Sequence, residues 1–175
     1  IHVSLTIINE YKKQLKIKHQ IDSELSSLPR GSISRKVING KTYCYLQFRE
    51  SGRHTSHYLK SDEVDHVVKQ LAVRKQLSTK LPDIESRLAE LEKAAKIINK
   101  QIFRELQLLK LSFKMDSLQP DQKAECTAFA RTMNAIEGVM ISEATAQDVV
   151  AWQQGNKPFL SVFEAALQRY GFIRK

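Results

Sequence analysis

The sequence predicts a mainly α-helical protein with a small antiparallel three-stranded β-meander, in which long helices or a helical hairpin precede a compact three-helix C-terminal module. Three observations predict it. Short alternating segments flank Asn39-Gly40 and Ser51-Gly52. Apolar residues at four-and-three spacing run from Leu77 to Leu109. Beyond Pro120, three short helical patterns are each closed by a glycine.

The first element is a helix over 5–27, with Leu5, Ile8, Tyr11, Leu15, Ile17 and Ile21 spaced for one loose apolar face and Lys12, Lys13, Lys16 and Lys18 on its polar side. Leu28-Pro29-Arg30-Gly31 stops it. Strands follow over 32–38, 41–49 and 54–59. Asn39-Gly40 is the favoured type I′ hairpin dipeptide, because both central residues need positive φ. Alternation puts Tyr43, Tyr45 and Gln47 on one face of the second strand and Cys44, Leu46 and Phe48 on the other.

Ser61-Asp62-Glu63 caps a long helical region. Within it Leu77, Ile84, Leu91 and Ile98 interleave with Leu81, Leu88, Ala95, Ile102 and Leu109. Such a seam suits a coiled coil, a helical hairpin arm or a long helix packed on its own domain. Pro82 marks either a break or a first-turn proline. Ser117-Leu118-Gln119-Pro120-Asp121 starts a helix that runs to Glu137 and is expected to bury Ala128, Phe129, Met133 and Ile136, with Gly138 as the residue after its cap. Thr145-Ala146-Gln147-Asp148 is a capping-box-like start for a helix through Trp152, closed by Gly155. Pro158 opens the last helix, whose Phe159, Phe163, Ala166, Leu167 and Tyr170 share a face, closed by Gly171. The expected organisation is therefore 1–60, an N-terminal helix plus meander; 61–116, a long helix or coiled-coil region; and 117–175, a three-helix module.

Composition narrows the function. No apolar run approaches the roughly 20 residues of a membrane span, so no membrane association is expected. The opening residues lack a basic n-region and an adequate apolar core, so no signal peptide is expected and the cytosol is the expected compartment. The chain opens on Ile1 and not on Met, which suggests that a true N-terminus is missing. Cys44 and Cys126 are far apart in sequence and read as reduced, partly buried thiols. His54 and His57 fall on opposite faces of a strand, and no other spacing suits a metal; neither metal nor cofactor is expected.

Catalytic motifs are missing as well. There is no Gly-rich phosphate loop, no G-x-S-x-G and no H-E-x-x-H, so the sequence does not read as an enzyme. The net charge of +9 is uneven: residues 1–80 hold 15 Lys and Arg against 7 Asp and Glu, whereas 81–175 hold 13 against 12. A basic front half suits a polyanionic partner, an acidic protein surface or a merely solvated face. In the meander Arg30, Arg35, Lys36, Lys41, Arg49, Arg53 and Lys60 interleave with Tyr43, Tyr45, Phe48 and Tyr58, a pattern suited to DNA or RNA for which Arg35, Lys36, Lys41, Tyr43, Tyr45, Arg49 and Arg53 are the expected contacts. The alternative is that the aromatics pack on flanking helices and the cations are simply exposed.

Two resemblances add to this reading. Leu28-Pro29-Arg30-Gly31-Ser32-Ile33, Asn39 to Gln47 and Tyr58-Leu59 resemble, over about residues 24–100, an uncharacterised bacterial domain that joins a small meander to a coiled helix. Residues 124–172 carry Ala135-Ile136-Glu137-Gly138, Val149-Val150-Ala151-Trp152-Gln153-Gln154-Gly155 and Arg169-Tyr170-Gly171, and resemble VbhA-type antitoxins of Fic toxins. Those are three-helix proteins that silence an adenylyltransferase. Their inhibitory helix carries Ser or Thr, three residues, Glu, then Gly or Asn. Glu137 and Gly138 fit the last two positions; Met133 departs from the first, and Thr132 is one residue out of register.

The resemblance implies a bacterial, cytoplasmic antitoxin whose partner is a Fic-domain toxin. Glu137 would occupy the arginine that grips the γ-phosphate of ATP, since a carboxylate–guanidinium pair is planar, bidentate and charge-assisted. Glu137, Gly138, Met133 and Asn134 are the expected partner-binding residues, with Phe129, Ile136 and Trp152 packing or docking beside them. A hydroxyl missing at position 133 removes an auxiliary hydrogen bond of about 1 kcal/mol. The other expectations from the sequence are a nucleic-acid-binding protein of a mobile element that uses the basic front half, and a scaffold or homodimer built on the heptads.

Overall fold

The computed structural model describes residues 2–171. The chain opens with α1 (His2–Ser27), followed by β1 (Ser32–Ile38), β2 (Lys41–Glu50) and β3 (Arg53–Leu59). Five helices complete it: α2 (Ser61–Ile98), α3 (Lys100–Asp116), α4 (Pro120–Ile136), α5 (Glu143–Gln153) and α6 (Phe159–Arg169). The fold is mainly α with one antiparallel sheet of order β1-β2-β3, as the sequence predicts. Two compact units divide it, residues 16–90 and residues 1–15 with 91–175. The division cuts α1 and α2, so each of these helices contributes to both units.

In the unit formed by 16–90, two tight turns set the register of the meander. Asn39 (φ 51) and Gly40 (φ 77) join β1 to β2, with Ile38 opposite Lys41. Ser51 (φ 49) and Gly52 (φ 80) repeat the device, with Glu50 opposite Arg53, which lengthens β2 and β3 by one residue each beyond the sequence expectation. Leu46 and Leu59 are buried on one face. The end of α1 is held by Arg74 of α2, whose Nη1 donates to the carbonyls of Leu25 (2.6 Å) and Leu28 (3.0 Å), supplying a cation where helix carbonyls lack partners. Lys18 pairs with Glu85 at 2.9 Å, so the two helices run antiparallel here. α2 continues through Pro82, which is therefore neither a break nor a first-turn residue. Its missing N–H forfeits one helical hydrogen bond.

In the other unit the chain reverses at Asn99. This residue is extended (φ −161), and its side chain accepts from the N–H of Gln101, capping α3. Glu92 and Lys110 form an ion pair at 2.9 Å, although 18 residues of continuous helix would separate them by about 27 Å. The hairpin brings Leu91, Ala95, Ile102, Leu106 and Leu109 into the core with Tyr11 of α1. Tyr11 donates to Glu92 Oε1 at 2.6 Å. Burial and that carboxylate push the Tyr11 hydroxyl pKa up. Burial raises the Glu92 pKa, but the bonds from Tyr11 and Lys110 outweigh it and hold the carboxyl below the usual range. Ile98, at the break, is 50% exposed. Leu5 is likewise 53% exposed and Ile17 only half-buried, so the buried face of α1 is narrower than its apolar pattern.

The C-terminal helices close around Trp152, which is 4% exposed. Its ring meets Phe159 edge-on at 5.6 Å, and Phe159 stacks on Phe163 at 6.0 Å. Asp116 Oδ1 at the end of α3 accepts from Trp152 Nε1 (3.1 Å) and from the backbone N–H of Phe159 (2.8 Å), tying α5 and α6 to α3. The cap of α5 lies three residues earlier than its sequence suggests: Ser142, in extended conformation, accepts from the N–H of Thr145.

One expectation is overturned here. The stripe of α4 expected to be buried is outside: Phe129 is 70% exposed, Met133 39% and Ile136 74%, and Ala128 is exposed too. The buried residues of α4 are Lys123 and Thr127. At about 100° per residue these lie on the far side of the helix from Phe129 and Ile136. Lys123 is buried because its ammonium sits 5.3 Å from the centre of the Trp152 ring, where its stem covers indole and its charge meets the π-face.

Candidate functional site

Glu137 is the C-cap of α4, and the chain turns there in a complete Schellman motif. Val139 N–H bonds the Asn134 carbonyl at 2.8 Å and Gly138 N–H bonds that of Ala135 at 3.2 Å. Gly138 has φ +68, a left-handed conformation that a Cβ disfavours. The turn thus fixes where the Glu137 side chain leaves the helix.

Electrostatically this carboxylate is misplaced for stability. Helix C-termini carry partial negative charge and favour cations. α4 has no basic residue in its last turn, and none of the described residues pairs with the exposed Glu137 side chain. A guanidinium docking there would meet the carboxylate and the negative helix end together. Beside Glu137 the exposed stripe continues through Val139 (49% exposed) and Met140 (89% exposed). Exposed apolar residues clustered along one helix face and the turn after it are the kind of surface that a protein partner covers.

Three of the four expected partner-binding residues share this surface: Glu137, Gly138 and Met133. Asn134 does not join them. It is half-buried and lines a 220 Å³ apolar cavity with Thr127, Val149, Trp152 and Val162. Phe172, the last residue of the quoted C-terminal match, lies outside the described residues.

A polar cluster ties α5 to the segment after it and to the end of α6. Asp148, 6% exposed, accepts from Lys157 and Arg169, each at 2.5 Å. Tyr170 Oη accepts from Ser142 N–H at 2.9 Å. The bonds from Lys157 and then Arg169 hold the Asp148 carboxyl below the ordinary range. Its stabilising effect is therefore complete above the unfolded-chain value of about 3.9 and lost as pH falls through the depressed folded value. An Asp148→Asn protein is expected to melt at lower temperature at neutral pH. It should also lose less of its melting temperature than wild type on acidification below about pH 4, as calorimetry would record. Parallel pH profiles for the two proteins would contradict this.

The seven residues expected to contact nucleic acid are divided by the sheet. The strand register puts Lys36, Lys41, Tyr43, Tyr45 and Arg49 on one face, joined by Tyr58 of β3. Arg35 and Arg53 lie on the opposite face, with Cys44 and Leu46. His54 is on the first face, where Nε of Arg49 donates to its Nε2 at 3.2 Å; His57 is on the second. Tyr58, which the sequence already groups with Tyr43 and Tyr45, is set opposite Tyr45 by the two-residue second turn. Cys44 is half-buried, and Cys126, expected partly buried, is exposed.

Comparison with known protein families gives a match over part of the chain. Residues 8–69 fit a family described as a domain of unknown function (DUF6788), so the similarity covers most of α1, the whole meander and the first turns of α2. No curated protein and no solved structure matches the chain. No described helix is long and apolar enough to cross a membrane.

Proposed function

We propose that the protein is a cytoplasmic antitoxin that binds a Fic-type adenylyltransferase and inhibits it without chemistry of its own. Glu137 occupies the toxin arginine that would otherwise grip the γ-phosphate of ATP, so that ATP no longer adopts the productive pose. The observation that carries this reading is the exposed Glu137 carboxylate at a helix C-terminus, without a partner among the described residues, beside exposed Phe129, Met133, Ile136 and Met140. The carboxylate supplies the charge and planar geometry a guanidinium takes bidentately. The apolar stripe supplies docking area, and the Schellman turn fixes the point at which the Glu137 side chain leaves the helix, although Met133 lacks the family's hydroxyl. VbhA-type sequence features around Glu137-Gly138 add the reaction that is blocked.

The test is co-expression of this chain with a Fic-domain toxin encoded beside it, reading AMP transfer to cellular proteins. Glu137→Gly protein is expected to bind the toxin but to leave AMP transfer active. Equal protection by the variant would sink the mechanism.

A further inference from the structure

We propose that the tyrosine face of the meander binds single-stranded nucleic acid, a function separate from inhibition through Glu137 and carried by residues of the 16–90 unit alone. The register gathers Lys36, Lys41, Tyr43, Tyr45, Arg49 and Tyr58 on one side of a three-stranded sheet. The apolar side chains that stabilise the sheet, Leu46 and Leu59, are buried on the other side, so the tyrosines are not needed for that core. Tyr58 is 47% exposed, and Tyr43 and Tyr45 beside it are half-buried.

The three rings form one patch. Tyr58 lies 6.2 Å from Tyr43 and 5.7 Å from Tyr45, at interplanar angles of 52° and 64°, so none is stacked face to face on another. Lys36 Nζ stands 5.3 Å from the centre of the Tyr45 ring, which puts a cation beside the aromatic surface. Charge points the same way. Between Leu25 and Ser61 the only carboxylate is Glu50, and the register puts it opposite Arg53, on the face away from the tyrosines.

Two chemistries therefore coincide on a face to which the three strands contribute no acidic side chain. Cations neutralise phosphates, and aromatic faces stack on bases whatever their sequence. A duplex keeps its bases stacked internally and would use only the cations. A sulfated polysaccharide offers charge but no base to stack on the rings. Unpaired bases use both, and this selects a single strand as the occupant.

The test uses the full chain and a fluorescent oligothymidylate of about 12 nucleotides, within the span of known single-strand sites. Anisotropy is expected to show binding that weakens as salt rises. Tyr58→Ala should raise Kd roughly 5- to 100-fold and Tyr58→Phe should leave it unchanged, because the ring and not the hydroxyl is used. Lys36→Glu with Lys41→Glu should weaken binding and flatten its salt dependence. A duplex of equal length and heparin should compete poorly. In the unmodified protein, tyrosine ring protons should shift on titration, a readout that does not depend on how any variant folds. Failure to bind at low salt would overturn the proposal. So would unshifted tyrosine resonances, unchanged affinity in a folded Tyr58→Ala protein, or equal competition by heparin.

Discussion

Trp152→Ala is expected to remove about 3–5 kcal/mol and to melt the C-terminal helices. The indole is 4% exposed and fills the space between α5 and α6, edge-on to Phe159 at 5.6 Å. Two further contacts converge on it: the Lys123 ammonium 5.3 Å from its ring centre, and Asp116, which accepts from Nε1 at 3.1 Å. Truncation would remove the ring that covers Lys123 and enlarge the 220 Å³ pocket that Trp152 helps to line. Trp152→Phe keeps most of the apolar bulk and loses the hydrogen bond, so its expected loss is nearer 1 kcal/mol. Urea denaturation followed by circular dichroism checks both. A loss below about 1 kcal/mol for the alanine variant would mean that Trp152 is not the centre of this core. The comparison also separates stability from the proposed inhibition. Trp152→Ala should lose toxin binding together with its fold, whereas Glu137→Gly should lose inhibition with an unchanged melt.

The elements legible in the sequence are those set by local chemistry. Asn39-Gly40 specifies a turn within its own two residues, and once the turn is known, alternation fixes the faces of β2. The glycines after α4, α5 and α6 mark helix ends for the same reason. Where several partners compete for one pattern, the sequence loses its grip. The heptad spacing carries on across Asn99, since Ala95 and Ile102 are still seven apart, and only the capping role of Asn99 betrays the reversal. Ile102 and Leu109 continue the spacing of Leu88, yet they lie beyond the reversal on a separate helix, which is the hairpin alternative and not one continuous seam.

On α4 the amphipathic pattern is visible, but which side faces in is decided by Trp152, which gives Lys123 a reason to be buried. A hydrophobic stripe was therefore read as core when it is surface. The same contrast divides the candidate sites. Glu137-Gly138 was legible as a helix end, but the exposed stripe beside it was not. The cations of the meander were legible as a group, but their separation into two faces needed the register.

Gly31→Ala is expected to be as damaging, and it tests the meander as Trp152→Ala tests the C-terminal helices. Gly31 joins the end of α1 to β1 with φ +114, a region that L-residues rarely adopt. A Cβ there would lie 2.1 Å from the Gln47 carbonyl oxygen and 2.9 Å from Phe48 Cβ. The first clash is with backbone that is itself paired to Ser32, so it cannot swing aside without opening the β1–β2 ladder. Backbone strain and steric overlap would each contribute about 1–3 kcal/mol against folding. Gly52 provides the control. Its φ is +80, but a Cβ there meets nothing within 4 Å, so Gly52→Ala carries only the left-handed penalty of about 1–2 kcal/mol. Chemical denaturation should therefore rank Gly31→Ala well below Gly52→Ala. The oligothymidylate affinity should follow the same order, because the tyrosine face exists only while β2 is paired on both sides. Equal stability of the two variants would show that the chain relieves the Gln47 contact by moving β1 as a whole. The sheet would then be less tightly specified at its entrance than the +114° conformation implies.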